Sequence, residues 1–218
     1  MEDKSYRITQ DMLFSAEEIQ KLRDFCAKKA GEEGTTAGKK KWAVRQMMML
    51  LALECALRVS EIAALKLGDL HLSQKRSYIV VWGASGTKRR DVQLNQVMVN
   101  HMREFISKKI ELGESVNPSD PILSGRAGKH FTETALKISW TKLLEEAGLR
   151  HRGISSARHT AVGRMVSEKN DSRWIMEQTG IKTVGFVALY ADVRAASNEE
   201  KHYGENHCWQ YEIRTRNL

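Results

Sequence analysis

The sequence predicts a mainly α-helical fold with one small antiparallel β-hairpin or sheet. Apolar residues recur at helical spacing in most segments between the loops. One segment, residues 77–83, is instead β-branched and aromatic, and residues 91–94 alternate as its return strand. The 218 residues include only two prolines, so few helix breaks are imposed, and the length suits one domain.

The first part of the chain predicts two long helices. Residues 14–30 form the first, because Ser15 and Glu18 have the spacing of a capping box and apolar residues follow at helical spacing. The glycine- and charge-rich residues 30–41 predict a loop. Residues 42–57 predict a strongly apolar helix at the centre of the core, in which the consecutive methionines serve packing.

The remaining elements are shorter. A helix over residues 60–67 is predicted before the hairpin, and helices over residues 96–113 and 131–148 are predicted after it. Residues 122–125 are a candidate short strand. The chain after Ser155 predicts several short helical pieces.

Composition narrows the class of function. The net charge of +8 favours polyanionic partners, chiefly nucleic acid, although a solvated basic surface would give the same charge. The three cysteines are far apart and form no CxxC pair, so neither a disulfide framework nor a zinc site is expected. No apolar run approaches the roughly 20 residues of a membrane span, and the polar amino terminus does not resemble a signal peptide. No membrane association is expected.

Motifs for several common enzyme classes are absent from the sequence. It contains no HExxH, no Walker A loop, no GxGxxG and no GxSxG elbow. These absences argue against nucleotide hydrolysis, Rossmann redox chemistry and the serine hydrolase folds. We therefore expect neither a metal nor a cofactor, and any chemistry must use arginine, lysine and tyrosine.

Two arginines are candidates for holding an anion. Arg58 lies at a tight junction between two apolar segments, where Glu61 is placed to orient its guanidinium. Arg158 follows Ser155 and Ser156, either of which can cap a helix, and an arginine in a first helical turn suits a phosphate. The ordinary alternative for each is a surface arginine, paired in the second case with a carboxylate such as Glu168.

Tyr190 is the candidate nucleophile. It is the one hydroxyl in a short apolar stretch, so a buried tyrosine that packs its ring is the ordinary alternative. An unperturbed phenol has a pKa of about 10 and needs nearby positive charge or a base before it can attack a phosphate at neutral pH. Two arginines on one phosphate would supply part of that charge.

Taken in order, these segments resemble the catalytic domain of the tyrosine recombinase (phage integrase) family. The stretch ALRVSEIAALKLGDL is similar to the first family box and places Arg58 on its catalytic arginine. The hairpin YIVVWGASGTKRRDVQLN resembles the family hairpin, and GISSARHTAVGRM resembles the H-x-x-R-H box with Arg158 as its arginine. The last box places Tyr190 nine residues after Ile181. The likeness extends from residue 14 to residue 193.

The resemblance implies a DNA strand-exchange enzyme for recombination or integration, for example of a mobile element. In such enzymes a tyrosine, here Tyr190, attacks a DNA phosphodiester and forms a 3′-phosphotyrosine intermediate while a 5′-hydroxyl is released. Two guanidinium groups, here those of Arg58 and Arg158, hold the non-bridging oxygens. The bond energy is stored in the intermediate, so neither ATP, metal nor another cofactor is implied.

The sequence departs from the family pattern at three polar positions. Ser155 and Ile181 stand where the family has histidine, and Ser85 stands at the usual place of the hairpin lysine. We assign the general acid to Lys88, three residues later in the same turn. His159 is either a proton-handling group or the source of a structural hydrogen bond.

These departures leave two further functions open. One is a catalytically weakened DNA-binding or regulatory relative, and the other is an enzyme similar to type IB topoisomerases. Tyr203 and Tyr211 are rival nucleophiles, but neither lies at the family interval.

Double-stranded DNA is the expected partner. Basic residues before a predicted helix and at the hairpin tip are candidates for binding its backbone, although solvated charge runs would look the same. The candidate DNA-binding residues are Lys39, Lys40, Lys41, Arg45, Arg89, Arg90 and Ser155.

We divide the chain into an extension (residues 1–13), a catalytic domain (residues 14–193) and a tail (residues 194–218). Family members usually carry a separate amino-terminal helical domain, and its absence here would weaken sequence specificity. The tail is a candidate protomer-exchange segment with Trp209 and Tyr211 as anchors, so we expect a homo-oligomer on DNA. The expected compartment is the cytoplasm (nucleoid) of a prokaryote or virus-infected cell, or the nucleus of a eukaryote.

Overall fold

The computed structural model describes residues 7–83, 89–125, 128–191 and 193. In these residues the chain forms eight α-helices and one small antiparallel sheet, which is the predicted fold class. The helices are α1 (Ala16–Glu32), α2 (Thr36–Leu53), α3 (Val59–Ala64), α4 (Gln96–Glu111), α5 (Glu133–Glu146), α6 (Ile154–Ser167), α7 (Ser172–Thr179) and α8 (Val184–Ala188). Short 3-10 turns lie at Gln10–Met12 and Leu67–Asp69. No helix in the described part is both long and apolar enough to cross a bilayer.

The predicted capping box at the start of α1 is confirmed. The Glu18 backbone N–H donates to Ser15 Oγ over 3.3 Å, and the Ser15 N–H donates to Glu18 Oε2 over 2.9 Å. Helix α1 then buries Ile19, Leu22 and Cys26, the three residues at helical spacing.

Helix α1 extends to Glu32 and helix α2 begins at Thr36, so the loop expected over residues 30–41 is limited to residues 33–35. Thr35 caps the helix by accepting from the Gly38 N–H over 3.1 Å, and the lysines at positions 39–41 lie within its first turns. The central helix is otherwise as expected, because Met47, Met48 and Met49 are all buried in the main core.

The sheet has three antiparallel strands in the order β1 (Leu70–Leu72), β2 (Ser77–Trp82) and β3 (Arg89–Gln93). The β2–β3 hairpin was predicted, whereas the three-residue β1 was not. Trp82 pairs with Arg89 at the end of the hairpin where the chain passes from β2 to β3. Residues 122–125 contribute one isolated bridge, between Ser124 and His130, so the candidate strand there is wrong.

Helix α6 begins after Gly153, which is its N-cap, so Ser155 and its neighbour lie inside the helix and do not cap it as predicted. Helices α6, α7 and α8 close over a second, smaller core. We call this core the tyrosine cluster, and it consists of Ile8, Ala56, Ala161, Val162, Met165, Ile175, Val187, Tyr190 and Val193.

Candidate active site

Arg58 is the N-cap residue of α3 and is held there by Glu61. Two residues earlier, buried Ala56 has a φ of 50°, a left-handed conformation that is costly for a residue with a Cβ. The Arg58 N–H donates to Glu61 Oε2 over 2.8 Å, and its Nη1 donates to Oε1 over 2.9 Å. Its Nη2 donates to the Gly180 carbonyl over 3.2 Å. The predicted contact between Glu61 and Arg58 is therefore present.

Arg158 reaches the same place from α6. Its Nη2 donates to the Thr179 carbonyl over 2.8 Å, and its Nη1 donates to the Ala56 carbonyl. Burial lowers the pKa of Arg158 to about 10, and the neighbouring Arg58 guanidinium acts in the same direction. Arg158 stays cationic at neutral pH. Its contacts are with these backbone carbonyls and not with Glu168.

The guanidinium groups of Arg58 and Arg158 both bind the carboxyl end of α7. The last carbonyls of a helix lack partners within the helix and carry the negative end of its dipole, so cations are favoured there. Arg158 and Arg58 bind the consecutive carbonyls of Thr179 and Gly180. Gly180 has a φ of +69°, and a Cβ at this position would lie 3.2 Å from Arg90 Nη1. Glycine therefore allows both the turn and the close approach of the arginines.

Arg90 adds a third guanidinium from β3. Its Nη1 and Nη2 donate to Glu61 Oε1 and Oε2 over 2.7 and 2.8 Å. Burial by itself raises the pKa of Glu61, but the hydrogen bonds and charge of Arg90, with those of Arg58, hold that pKa below its ordinary value. We call Arg58, Glu61, Arg90 and Arg158 the arginine cluster. Glu61 is the one carboxylate in this cluster and pairs with Arg58 and Arg90, so with Arg158 added the cluster carries excess positive charge and suits an anion.

The Tyr190 hydroxyl lies 2.7 Å from His159 Nδ1, next to Arg158 in sequence. Tyr190 is only 2% exposed, and its ring packs in the tyrosine cluster. Burial lowers the pKa of His159, and Arg158 lowers it further, so the imidazole is neutral at neutral pH. In the tautomer protonated on Nε2, Nδ1 accepts a hydrogen bond from the phenol O–H of Tyr190.

Ser155 and the predicted DNA-binding lysines are not members of the arginine cluster. Ser155 is exposed in the first turn of α6, three residues before Arg158. Lys39 and Lys41 are exposed, whereas Lys40 pairs with Glu114 over 3.1 Å.

Arg45 does not fit its predicted role. It is 4% exposed, donates to Glu146 over 3.0 Å and stacks over Trp42. Because a side chain this buried does not reach a duplex, we assign Arg45 a structural role.

At the hairpin, Arg89 is half-exposed and pairs with Asp91 over 3.1 Å, whereas Arg90 turns inward to the arginine cluster. The other hairpin and tail predictions lie outside the described residues. They concern Ser85, Lys88, Tyr203, Trp209 and Tyr211.

Sequence reasoning missed two residues that shape the site. Gly180 had a readable signal, since glycine after a helical segment is a C-cap pattern. Gln178 had none. It is 2% exposed, and its Oε1 accepts from the Gln93 N–H over 2.7 Å, which ties α7 to β3. No group of three His, Cys, Asp or Glu side chains in the described residues is placed to hold a metal ion.

Comparison with known proteins gives the family. The profile described as the Phage integrase family matches residues 13–197. The chain is 27% identical over 159 residues to tyrosine recombinase XerD of Oceanobacillus iheyensis, which covers 72% of this chain and 52% of that protein. It is 26% identical over 192 residues to tyrosine recombinase XerD of Rickettsia bellii, which covers 84% of this chain and 60% of that protein. The chain spans about half the length of the curated relatives it matches.

Solved structures agree on the fold. XerH site-specific recombinase bound to difH substrate superposes with a TM-score of 0.67 at 22% identity and covers 87% of this chain and 53% of that one. A lambda integrase dimer bound to a COC′ core site gives 0.60 at 14% identity, with 93% and 52% covered. The chain belongs to the phage integrase family, as the resemblance in its sequence predicted.

Proposed function

We propose that this chain catalyses DNA strand exchange through attack of Tyr190 on a DNA phosphodiester. The observation that carries the proposal is the convergence of three groups. Arg58 and Arg158 bind consecutive carbonyls at the end of α7, and the residue after Arg158 holds the Tyr190 hydroxyl. The recombinases of the same family, by name, act in this class of reaction.

The arginine cluster would hold the scissile phosphate. Glu61 neutralises one of its three guanidinium groups, so the remaining charge is available to a phosphodiester. The Arg58 side chain is 45% exposed, which leaves room for a phosphate to approach from solvent. As negative charge grows on the non-bridging oxygens, fixed donors in a partly buried site stabilise the transition state.

His159 would act as the base for the nucleophile. The Tyr190 Oη–P bond forms as the P–O5′ bond breaks, the phenol proton passes to His159 Nδ1, and the 5′ oxygen takes a proton from a general acid. We assign that acid to Lys88. Because Tyr190 is almost fully buried, α8 or the surrounding tyrosine cluster must shift before the hydroxyl meets DNA.

Ser155 and Ile181 shape the rate that we expect. Neither serine nor isoleucine transfers protons near neutral pH, and each general acid–base group is typically worth about 10²–10⁴ in rate. His159 replaces one such group in contact with the nucleophile. We therefore expect a working enzyme that is slower than a member with the full set of histidines.

The proposal also includes DNA contacts outside the arginine cluster and an oligomeric state. Lys39, Lys41, Arg89 and Ser155 are exposed or half-exposed and are proposed to contact the DNA backbone. We further propose a homo-oligomer on double-stranded DNA, built on a catalytic domain over residues 14–193. Relatives of known structure are described as a dimer and as a tetramer bound to a Holliday junction. Such a protein would work wherever the DNA lies, in a nucleoid or a nucleus.

A trapping experiment tests the proposal. The protein is incubated with nicked suicide duplexes of randomised site sequence, and covalent protein–DNA adducts are resolved on a denaturing gel. We expect an adduct with the wild type and with Tyr78→Phe, a matched control on β2, and none with Tyr190→Phe. If Lys88→Ala leaves cleavage unchanged, the general acid lies elsewhere.

Other outcomes point to the two alternative functions. Intact gel-shift binding without any adduct would make this a DNA-binding relative without turnover. Relaxation of supercoiled DNA by the protein alone would favour an enzyme of the type IB topoisomerase kind.

A further inference from the structure

We propose that Arg90 is a positioning residue that fixes the Glu61 carboxylate and, through it, the guanidinium of Arg58. The catalytic consequence of this assignment rests on the proposed function, whereas the structural consequence does not. Arg90 is therefore removed from the residues proposed to contact DNA.

Arg90 and Arg58 together occupy both oxygens of one carboxylate. Arg90 binds Glu61 through two parallel N–H···O bonds of 2.7 and 2.8 Å, the geometry that best matches a guanidinium to a carboxylate. Arg58 donates to the same two oxygens, with its side chain to Oε1 and its backbone N–H to Oε2. The Glu61 side chain is 8% exposed, so solvent supplies little that would hold the carboxylate if Arg90 were removed.

Arg90 is anchored a second time at the end of α7. Its Nε donates to the Gln178 carbonyl over 3.1 Å, and the Gln178 side chain accepts from the Gln93 N–H of the same strand. Arg90 thus joins β3, α3 and α7, the three elements that meet around Arg58. The Arg58 guanidinium binds Glu61 on one side and the Gly180 carbonyl on the other. Arg90 binds Glu61 directly and binds the end of α7, which carries Gly180, through the Gln178 carbonyl.

The exposure of Arg90 distinguishes it from its neighbour in the strand. Each of its three nitrogens has an acceptor within the protein, and its side chain is 15% exposed. The Arg89 side chain is 50% exposed and points to the opposite face of β3, as alternate strand residues do. Only a guanidinium reaches three acceptors in this fixed fork, so lysine is a poor substitute at position 90.

A double-mutant cycle on the cleavage step tests the assignment. Single-turnover adduct formation at saturating DNA is measured for Arg90→Gln, Glu61→Gln, the double variant and Arg90→Lys. We expect each single variant to lose about 100-fold, since a small misplacement of a catalytic group has effects of this size. The double variant should be no slower than the singles, and Arg90→Lys should recover little.

A direct DNA contact by Arg90 predicts a different pattern. The losses would then multiply in the double variant, and the salt dependence of DNA binding would fall by about 0.9 in slope for the lost phosphate contact. The matched control is Arg103→Gln, which removes one positive charge from the exposed face of α4. It should leave the cleavage rate unchanged.

A second measurement is independent of cleavage. Nitrogen-15 NMR of the Arg58 side chain in the protein without DNA reports whether its guanidinium is held. Slow exchange in the wild type and averaged, rapidly exchanging signals in Arg90→Lys and Arg90→Gln would support the assignment. Arg58 signals unchanged in Arg90→Lys, the variant that keeps the charge, would overturn it. If the wild type forms no DNA adduct, the proposed function fails while this measurement still decides the role of Arg90.

Discussion

Two sites in this molecule place arginines around a glutamate, and they differ in charge balance. In the first, which we call the Glu54 network, Glu54 accepts from Arg23 and, over 2.7 Å, from Arg164. Glu168 adds a second carboxylate within electrostatic reach of Arg164. In the arginine cluster, Arg58 and Arg90 pair with the single carboxylate of Glu61, and Arg158 lies within electrostatic reach of it. The residue types are the same, but only the arginine cluster has positive charge left over.

The difference separates a structural ion-pair network from a site for an anion. The Glu54 network joins α1, α2 and α6, and its charges are matched within the protein. The arginine cluster joins α3, α6, α7 and β3, and its three guanidinium groups and one carboxylate leave positive charge that a bound anion would offset. Charge left unmatched in a folded protein, together with a nucleophile next to it, is the more informative sign of function.

The largest expected effect is on Arg158. We expect Arg158→Gln to lower the single-turnover rate of adduct formation by about 10²–10³-fold, the range for removing one fixed donor to a developing oxyanion. Single-turnover kinetics at saturating DNA measures it. The matched variant is Arg164→Gln, because Arg164 lies in the same helix, α6, but belongs to the Glu54 network. Equal rate losses in the two variants would erase the distinction between the sites.

His159 comes next. We expect His159→Gln to slow adduct formation by about 10²-fold, because the phenol loses the base that lies 2.7 Å away. As the pH is lowered, the wild-type rate should stay constant to a pH below the ordinary histidine pKa of about 6.5, since burial and Arg158 lower the pKa of His159. Rates measured from about pH 5 to about pH 8 should show an acid limb that the variant lacks.

The same lowered pKa has a consequence for stability. Between the folded and unfolded pKa values of His159, the unfolded chain binds more protons, so stability rises with pH. The wild type should therefore lose stability as the pH falls below about 6.5, and His159→Gln should lose less of it. Urea unfolding at several pH values tests this, and identical pH dependence in the two proteins would contradict it.

Breaking the Glu54 network should affect stability and leave the chemistry intact. We expect Glu54→Gln to lower the free energy of unfolding by about 3 kcal/mol, because it leaves Arg164 beside an uncharged partner in a buried place. Burial by itself raises the pKa of Glu54, but Arg164 and Arg23 hold it below its ordinary value. The contribution is thus present above the unfolded pKa and is lost as the pH falls through the lower folded value. A rate loss in the folded variant would contradict the comparison.

What could be predicted from the sequence was mostly local. The capping box of Ser15 and Glu18 and the contact from Arg58 to Glu61 each join residues three apart, so spacing alone indicates them. The pairing of Arg90 with Glu61 joins residues 29 apart and depends on how β3 packs on α3 and α7. No periodicity encodes that packing.

The basic runs were the least predictable part. A run of charges is read as one patch, but secondary structure divides it between faces. In α2 the helix turns Lys41 outward and buries Arg45, and in β3 the strand turns Arg89 outward and Arg90 inward. Which face is the inner one follows from tertiary packing, so the sequence identified the basic residues and not their roles.

The smallest expected effect compares two glycines that end helices in the same left-handed conformation. Gly180 has a φ of +69° and Gly113 has a φ of +70°. Alanine at either position should cost about 1–2 kcal/mol of stability because a Cβ is unfavourable there. At Gly113 a Cβ meets nothing within 4 Å, whereas at Gly180 it would lie 3.2 Å from Arg90 Nη1 and 3.4 Å from Arg58 Nη1. Urea unfolding should therefore give similar losses for Gly113→Ala and Gly180→Ala, while only Gly180→Ala slows adduct formation. Equal rates in the two variants would mean that the arginine cluster tolerates a shift of a few tenths of an ångström, and that the close packing at the end of α7 is not what positions Arg58.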